Sequence, residues 1–173
     1  TASGTMGTVF FGLPTPISST SGLSGIALRE VLLHNITAYS FATEMPNRIS
    51  LLHSTYAALG DAYSDLERVD LYLQTNELEA ANSLYNGIVT NRNLTGTEAY
   101  EFSHWGRQLL DISIDIRQAN KSSKAINATQ VGILANIADS ARMWAKVRAQ
   151  NWLQLYDGRS SINTFLYPPI TSG

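Results

Sequence analysis

Residues 102–116 read Phe-Ser-His-Trp-Gly-Arg-Gln-Leu-Leu-Asp-Ile-Ser-Ile-Asp-Ile, and within them Phe102, Trp105, Leu109, Ile112 and Ile116 recur at steps of three, four, three and four. That spacing lines five large apolar side chains along one side of a rod turning every 3.6 residues, whereas a half-buried strand would alternate. Thr95-Gly96-Thr97-Glu98 supplies a helix start with an acid in the first turn, and the polar run Gln118 to Lys124 ends the seam. This stretch sets the fold class as all-α.

The same rhythm extends in both directions. Upstream, Ile26, Leu28, Val31, Leu32, Ile36 and Tyr39 form a broad face that ends near Met45-Pro46. Asn47 is placed to cap the next segment, in which Ile49, Leu52, Tyr56 and Leu59 recur. Gly60-Asp61 marks a break before a helix over Ala62 to Leu73, and Asn76 sits where a left-handed residue joins paired helices. Leu78, Ala81, Leu84, Tyr85 and Ile88 make the following face, with a loop over Val89 to Leu94. Downstream, Asn127 or Thr129 caps a short helix carrying Val131, Leu134, Ile137 and Ala138. A last helix is expected over about Ala141 to Tyr156, with Trp144, Val147, Trp152 and Leu155 buried and Gly158 as its stop.

These faces predict a helical-hairpin bundle or a short tetratricopeptide-like solenoid over residues 26–158, with an extended N-terminal segment at 1–25 and an extended tail at 159–173. The first segment carries no charge and is rich in Gly, Ser, Thr and Pro; Val9-Phe10-Phe11 is its one apolar anchor. Pro168-Pro169 marks the tail.

A length of 173 residues suits one domain, with tails, that buries about two-thirds of its unfolded surface. A formal charge of −2 without a basic cluster argues against nucleic acid and anionic membranes as partners. No apolar run approaches the roughly 20 residues of a membrane-spanning helix. Cysteine is absent, which removes disulfides, thiolate zinc sites and a thiol nucleophile. No Lys or Arg precedes Arg29, so the start lacks the charged region of a secretory signal, and Thr1 in place of Met reads as an excised piece.

Two stretches resemble a known group of proteins. Leu73-Gln74-Thr75-Asn76-Glu77-Leu78-Glu79-Ala80-Ala81-Asn82-Ser83-Leu84-Tyr85-Asn86-Gly87-Ile88 is similar to the turn and second helix of a tetratricopeptide-like hairpin. Residues 127–140, from Asn127-Ala128-Thr129-Gln130 to Asp139-Ser140, followed by Ala149-Gln150-Asn151-Trp152-Leu153, resemble a helical segment of very large secreted surface proteins of the Bacteroidota. In those proteins the segment lies just before a type IX sorting domain. The resemblance covers about Ser50 to Gly158, while the N-terminal third matches poorly and no β-rich sorting domain follows within the chain. It implies an extracellular, cell-surface helical module without known chemistry, and it carries over no catalytic residues.

Candidate chemistry is sparse. Glu101 and His104 form an E-x-x-H step, the spacing of di-metal carboxylate bundles, and Glu30 with His34 could face them. Such a centre needs two E-x-x-H steps and two further acids; only Asp111 and Asp115 are at hand, so a solvated Glu and a surface or half-buried His are expected instead. Neither a G-x-S-x-G elbow nor a phosphate loop occurs. No catalytic, cofactor-binding or metal residue is therefore assigned.

Asn35-Ile36-Thr37, Asn93-Leu94-Thr95, Asn120-Lys121-Ser122 and Asn127-Ala128-Thr129 match the N-glycosylation pattern, and Asp139-Ser140-Ala141 resembles an O-linked acceptor of Bacteroidota. Trp105, Trp144 and Trp152 fall in phase with aliphatic neighbours and read as core before they read as sugar platforms. The expected function is a non-catalytic spacer or docking module, whose partner is the remainder of its own large chain or another surface protein, with self-assembly through the tails open. The alternatives are a peptide-binding groove lined by Tyr63, Tyr72, Asn82 and Asn86, and a metal-dependent helical bundle around Glu101 and His104.

Overall fold

Helical spacing prevails in three dimensions. The computed structural model describes residues 14–119 and 126–156, and among these every regular element is a helix. In chain order they are α1 (Gly25–Phe41), α2 (Arg48–Leu59), α3 (Ala62–Gln74), α4 (Leu78–Asn91), α5 (Gly96–Tyr100), a π-helical turn (Glu101–Gly106), α6 (Arg107–Gln118), α7 (Ala128–Ser140) and α8 (Trp144–Tyr156). The all-α expectation holds. The expected anchor Val9-Phe10-Phe11, positions 120–124 of the polar run, the expected stop Gly158 and the tail from 159 lie outside the described residues. The chain divides into two compact units, Thr1–Leu71 and Tyr72–Gly173, with the division inside α3.

In the first unit α1 packs on α2. Leu32 and Ala38 from α1 and Leu52 from α2 are buried, as are Leu66 and Val69 of α3. Three expectations need correction here. α1 stops at Phe41 rather than near Met45, because Ala42 leaves helical geometry and the chain turns through Met45, whose N–H bonds the Ala42 carbonyl at 3.0 Å. Asn47 precedes α2 in the left-handed region (φ 61°) and its side chain makes no capping bond. Ile26 also departs from its expected burial, being 78% exposed. Gly60 is left-handed (φ 72°) at the end of α2, and Asp61 Oδ1 accepts the Ser64 N–H at 2.7 Å to start α3, so the Gly60-Asp61 break is as read.

In the second unit Asn76 ends α3 in the left-handed region (φ 62°), where the Glu77 N–H reaches back to the Tyr72 carbonyl at 2.8 Å. Asn93 does the same after α4 (φ 52°), with the Leu94 N–H on the Val89 carbonyl at 3.0 Å. Asparagine tolerates this conformation better than most residues with a side chain.

α5, the π-helical turn and α6 follow without an intervening loop, and Phe102, Leu109, Ile112 and Ile116 are all buried. Leu109, Ile112 and Ile116 join Leu134, Ile137 and Ala138 of α7 in one core, against which Trp105, Trp144 and Trp152 pack half-buried. The three tryptophans are thus core residues, as their phase indicates.

α8 corrects its sequence reading. It begins at Trp144, not Ala141, and its buried residues are Ala145 and Ala149, while Val147 and Leu155 are 44% and 49% exposed. α7 and α8 pack side by side, and small residues one turn apart let two backbones approach closely, so the alanines take the seam and the bulkier side chains flank it. α7 is fixed at its start by a capping box: Asn127 Oδ1 accepts the Gln130 N–H at 2.9 Å, and Gln130 Oε1 accepts the Asn127 N–H at 3.0 Å. Asn127→Ala is expected to cost about 1 kcal/mol, read as a lowered midpoint in urea at unchanged slope.

Candidate functional site

Two places concentrate polar contacts between segments far apart in sequence, one in each unit. In the first unit, an extended stretch lies on α1. The Asn35 side chain grips Ile17 at both main-chain groups: the Ile17 N–H donates to Oδ1 at 2.7 Å, and Nδ2 donates to the Ile17 carbonyl at 3.0 Å. One residue earlier, His34 Nε2 lies 2.8 Å from the Thr15 carbonyl, an acceptor that requires the ring nitrogen to donate. Asn35 is 5% exposed although it is polar, which the paired amide bonds compensate. The Asn35 sequon therefore serves packing, since its amide nitrogen is committed to Ile17.

The second place is the π-helical turn. Glu101, at its first residue, is 2% exposed, and its carboxylate points at the start of α8. Oε1 accepts the N–H groups of Met143 at 3.1 Å and Ala145 at 3.0 Å, and Oε2 receives the Arg142 N–H at 3.5 Å. The first N–H groups of a helix have no partner within it and carry a partial positive charge, so a buried carboxylate at that end satisfies both needs. Glu101 is a cap supplied from a distant helix.

The aromatic side chains beside it fit around Gly106. A methyl at Gly106 would stand 2.5 and 2.6 Å from Trp144 ring carbons and inside contact with the Tyr85 hydroxyl. The Tyr85 hydroxyl donates to the Phe102 carbonyl at 2.6 Å, and burial holds its phenol above its ordinary pKa. The Phe102 and Trp144 rings lie 5.1 Å apart. Tyr85→Phe removes the donor and leaves the Phe102 carbonyl buried beneath an unchanged ring. A loss of about 1–2 kcal/mol in chemical denaturation is expected.

The E-x-x-H step does not converge on a common point. Glu101 is buried against α8, whereas His104 is exposed, stacked on Tyr100 with ring centroids 4.9 Å apart. A π turn is wider than an α turn, which separates positions three apart more than an ordinary helix would. Asp111 pairs with Arg107, Asp115 Oδ2 receives Gln130 Nε2 at 3.5 Å, and His34 is engaged by Thr15. Among the described residues no three His, Cys, Asp or Glu are grouped to hold a metal ion.

Of the expected groove residues, Asn82 and Asn86 come together, both accepting from Arg107 Nη1 at 2.6 and 3.1 Å. Tyr72 is half-buried in the same unit, and Tyr63 is exposed in the other. The Asn93 sequon is exposed, that of Asn127 serves the α7 cap, and that of Asn120 lies outside the described residues. Ser140 is exposed, with its hydroxyl 3.3 Å from Asn136 Oδ1.

Among the described residues, no helix is long and apolar enough to cross a membrane. Comparison with known protein families, with curated proteins and with solved structures finds no match to this chain.

Proposed function

We propose that this chain is a non-catalytic structural module, a spacer or docking platform within a large secreted cell-surface protein. The observation that carries this reading is the use of a buried acid: Glu101 places its carboxylate on the backbone of α8. The clamp on Thr15–Ile17 points the same way, because one face of α1 is already occupied by the chain's own backbone. The low share of charged residues, 15%, and the polar Ser, Thr and Asn faces suit an exposed setting. The surface location and the type IX export route rest on the resemblance of residues 50–158.

Labelling intact cells of the source organism with an antibody against this chain tests the location. Surface labelling without lysis is expected; labelling confined to lysed cells would overturn the proposal. The coding sequence downstream of Gly173 bears on the export route, where a sorting domain is expected.

The peptide-binding alternative draws on Arg107 with Asn82 and Asn86. It ranks second because the Arg107 guanidinium already pairs with Asp111. The metal-dependent alternative ranks last, since it requires Glu101 to leave the start of α8.

A further inference from the structure

We propose that Asn35 and His34 form a docking site for extended backbone that the Thr15–Ile17 segment of a second copy of this chain can occupy, linking copies by exchange of their N-terminal arms. This goes beyond the spacer reading and does not depend on where the protein resides.

Three observations carry it. First, the hydrogen bonds that α1 makes to the arm go to its main chain: the Thr15 carbonyl and the Ile17 N–H and carbonyl. Such contacts are identical whichever copy supplies the arm, so exchange loses none of them. Second, the arm is tethered to α1 by residues 18–24, which form no helix and turn through Gly22 in the left-handed region (φ 78°). The arm can therefore leave its own α1 without unwinding a regular element. Third, Ile17 itself is 42% exposed while its main chain is held, so the arm is bound by its backbone rather than by a pocket specific to this side chain.

The tether length makes the proposal testable. Asn35 lies ten residues into α1 from Gly25, about 15 Å along the axis. Seven residues bridge that span with slack; deleting Ser18–Leu23 leaves Ser24 alone, so that Ile17 and Gly25 stand at most about 7 Å apart. The shortened chain cannot place Ile17 on its own Asn35.

The experiment is light scattering on the full chain carrying this deletion, alone and combined with Asn35→Ala. The expected result is a doubled mass for the deletion variant and a return to the single-chain mass when Asn35→Ala is added. A deletion variant that stays at single-chain mass, or a dimer indifferent to Asn35→Ala, would overturn the proposal. Should the shortened chain lack helical circular dichroism, the intact chain decides. Tagged and untagged copies are refolded together at high concentration, and mixed dimers are counted by affinity capture. Mixed dimers reduced at least tenfold by Asn35→Ala support arm exchange, and their absence, or their persistence in that variant, overturns it.

Discussion

Glu101→Ala is expected to destabilise the second unit by about 3 kcal/mol, the loss of two charge-assisted bonds, with the Ala145 N–H left buried and the Met143 N–H half-buried without this acceptor. A loss of that size is a large share of a domain's total stability. Urea denaturation monitored by tryptophan fluorescence reads it directly, because Trp144 opens α8 beside the acceptor. Glu101→Gln keeps a side-chain carbonyl of the same reach and should recover part of the loss, whereas a charge-insensitive packing role would recover nearly all of it. An alanine variant with wild-type stability would show that the start of α8 does not depend on this carboxylate.

Gly106→Ala is the second large effect. The added methyl meets the Tyr85 hydroxyl and the Trp144 ring at distances that atoms do not tolerate, and both neighbours are held, Tyr85 by the Phe102 carbonyl and Trp144 by the Phe102 ring and the core. Overpacking of this kind costs about 1–3 kcal/mol, and displacing Tyr85 adds the loss of its bond, so about 3 kcal/mol or more is expected. The cause can be separated by a double-mutant cycle. Tyr85→Phe removes the very atom the methyl strikes, so Gly106→Ala should cost less in that background than in the wild type. Strict additivity would place the clash elsewhere.

Both effects belong to a part of the chain whose helical identity is plain in the sequence and whose chemistry is not. Phe102, Leu109, Ile112 and Ile116 are buried as their spacing requires, because aliphatic periodicity reports directly on which side of a rod meets the core. The Asn127 box and the left-handed Asn76 are local devices, decided within four or five residues, and they too were legible. Glu101 was not. Its partners lie 42 and 44 positions away, and only the packing of the π turn against α8 brings them together. Read locally it is one half of an E-x-x-H step, and nothing near it in sequence says that its turn is π rather than α.

The same limit explains α8. Trp144, Val147, Trp152 and Leu155 are the bulky residues, so burial by size selects them, but close approach to α7 selects Ala145 and Ala149. Which criterion prevails depends on the distance between helix axes, a tertiary quantity. Asn35 shows a third case. An asparagine on an apolar helix face reads as a sequon or a surface residue until an extended backbone is seen lying across it. Asn93, by contrast, could have been found: it follows a helix as Asn76 does, one residue before a leucine that closes the turn.

The central claim is that the buried carboxylate of the π turn holds the backbone at the start of α8. Amide hydrogen exchange at Met143 and Ala145 tests it most directly, in the wild type and in Glu101→Ala. Protection of both amides in the wild type, lost in the variant while the amides in the middle of α7 remain slow, is the predicted outcome. Fast exchange of both amides in the wild type, with Glu101 instead found bound to a metal ion in the purified protein, would contradict the account.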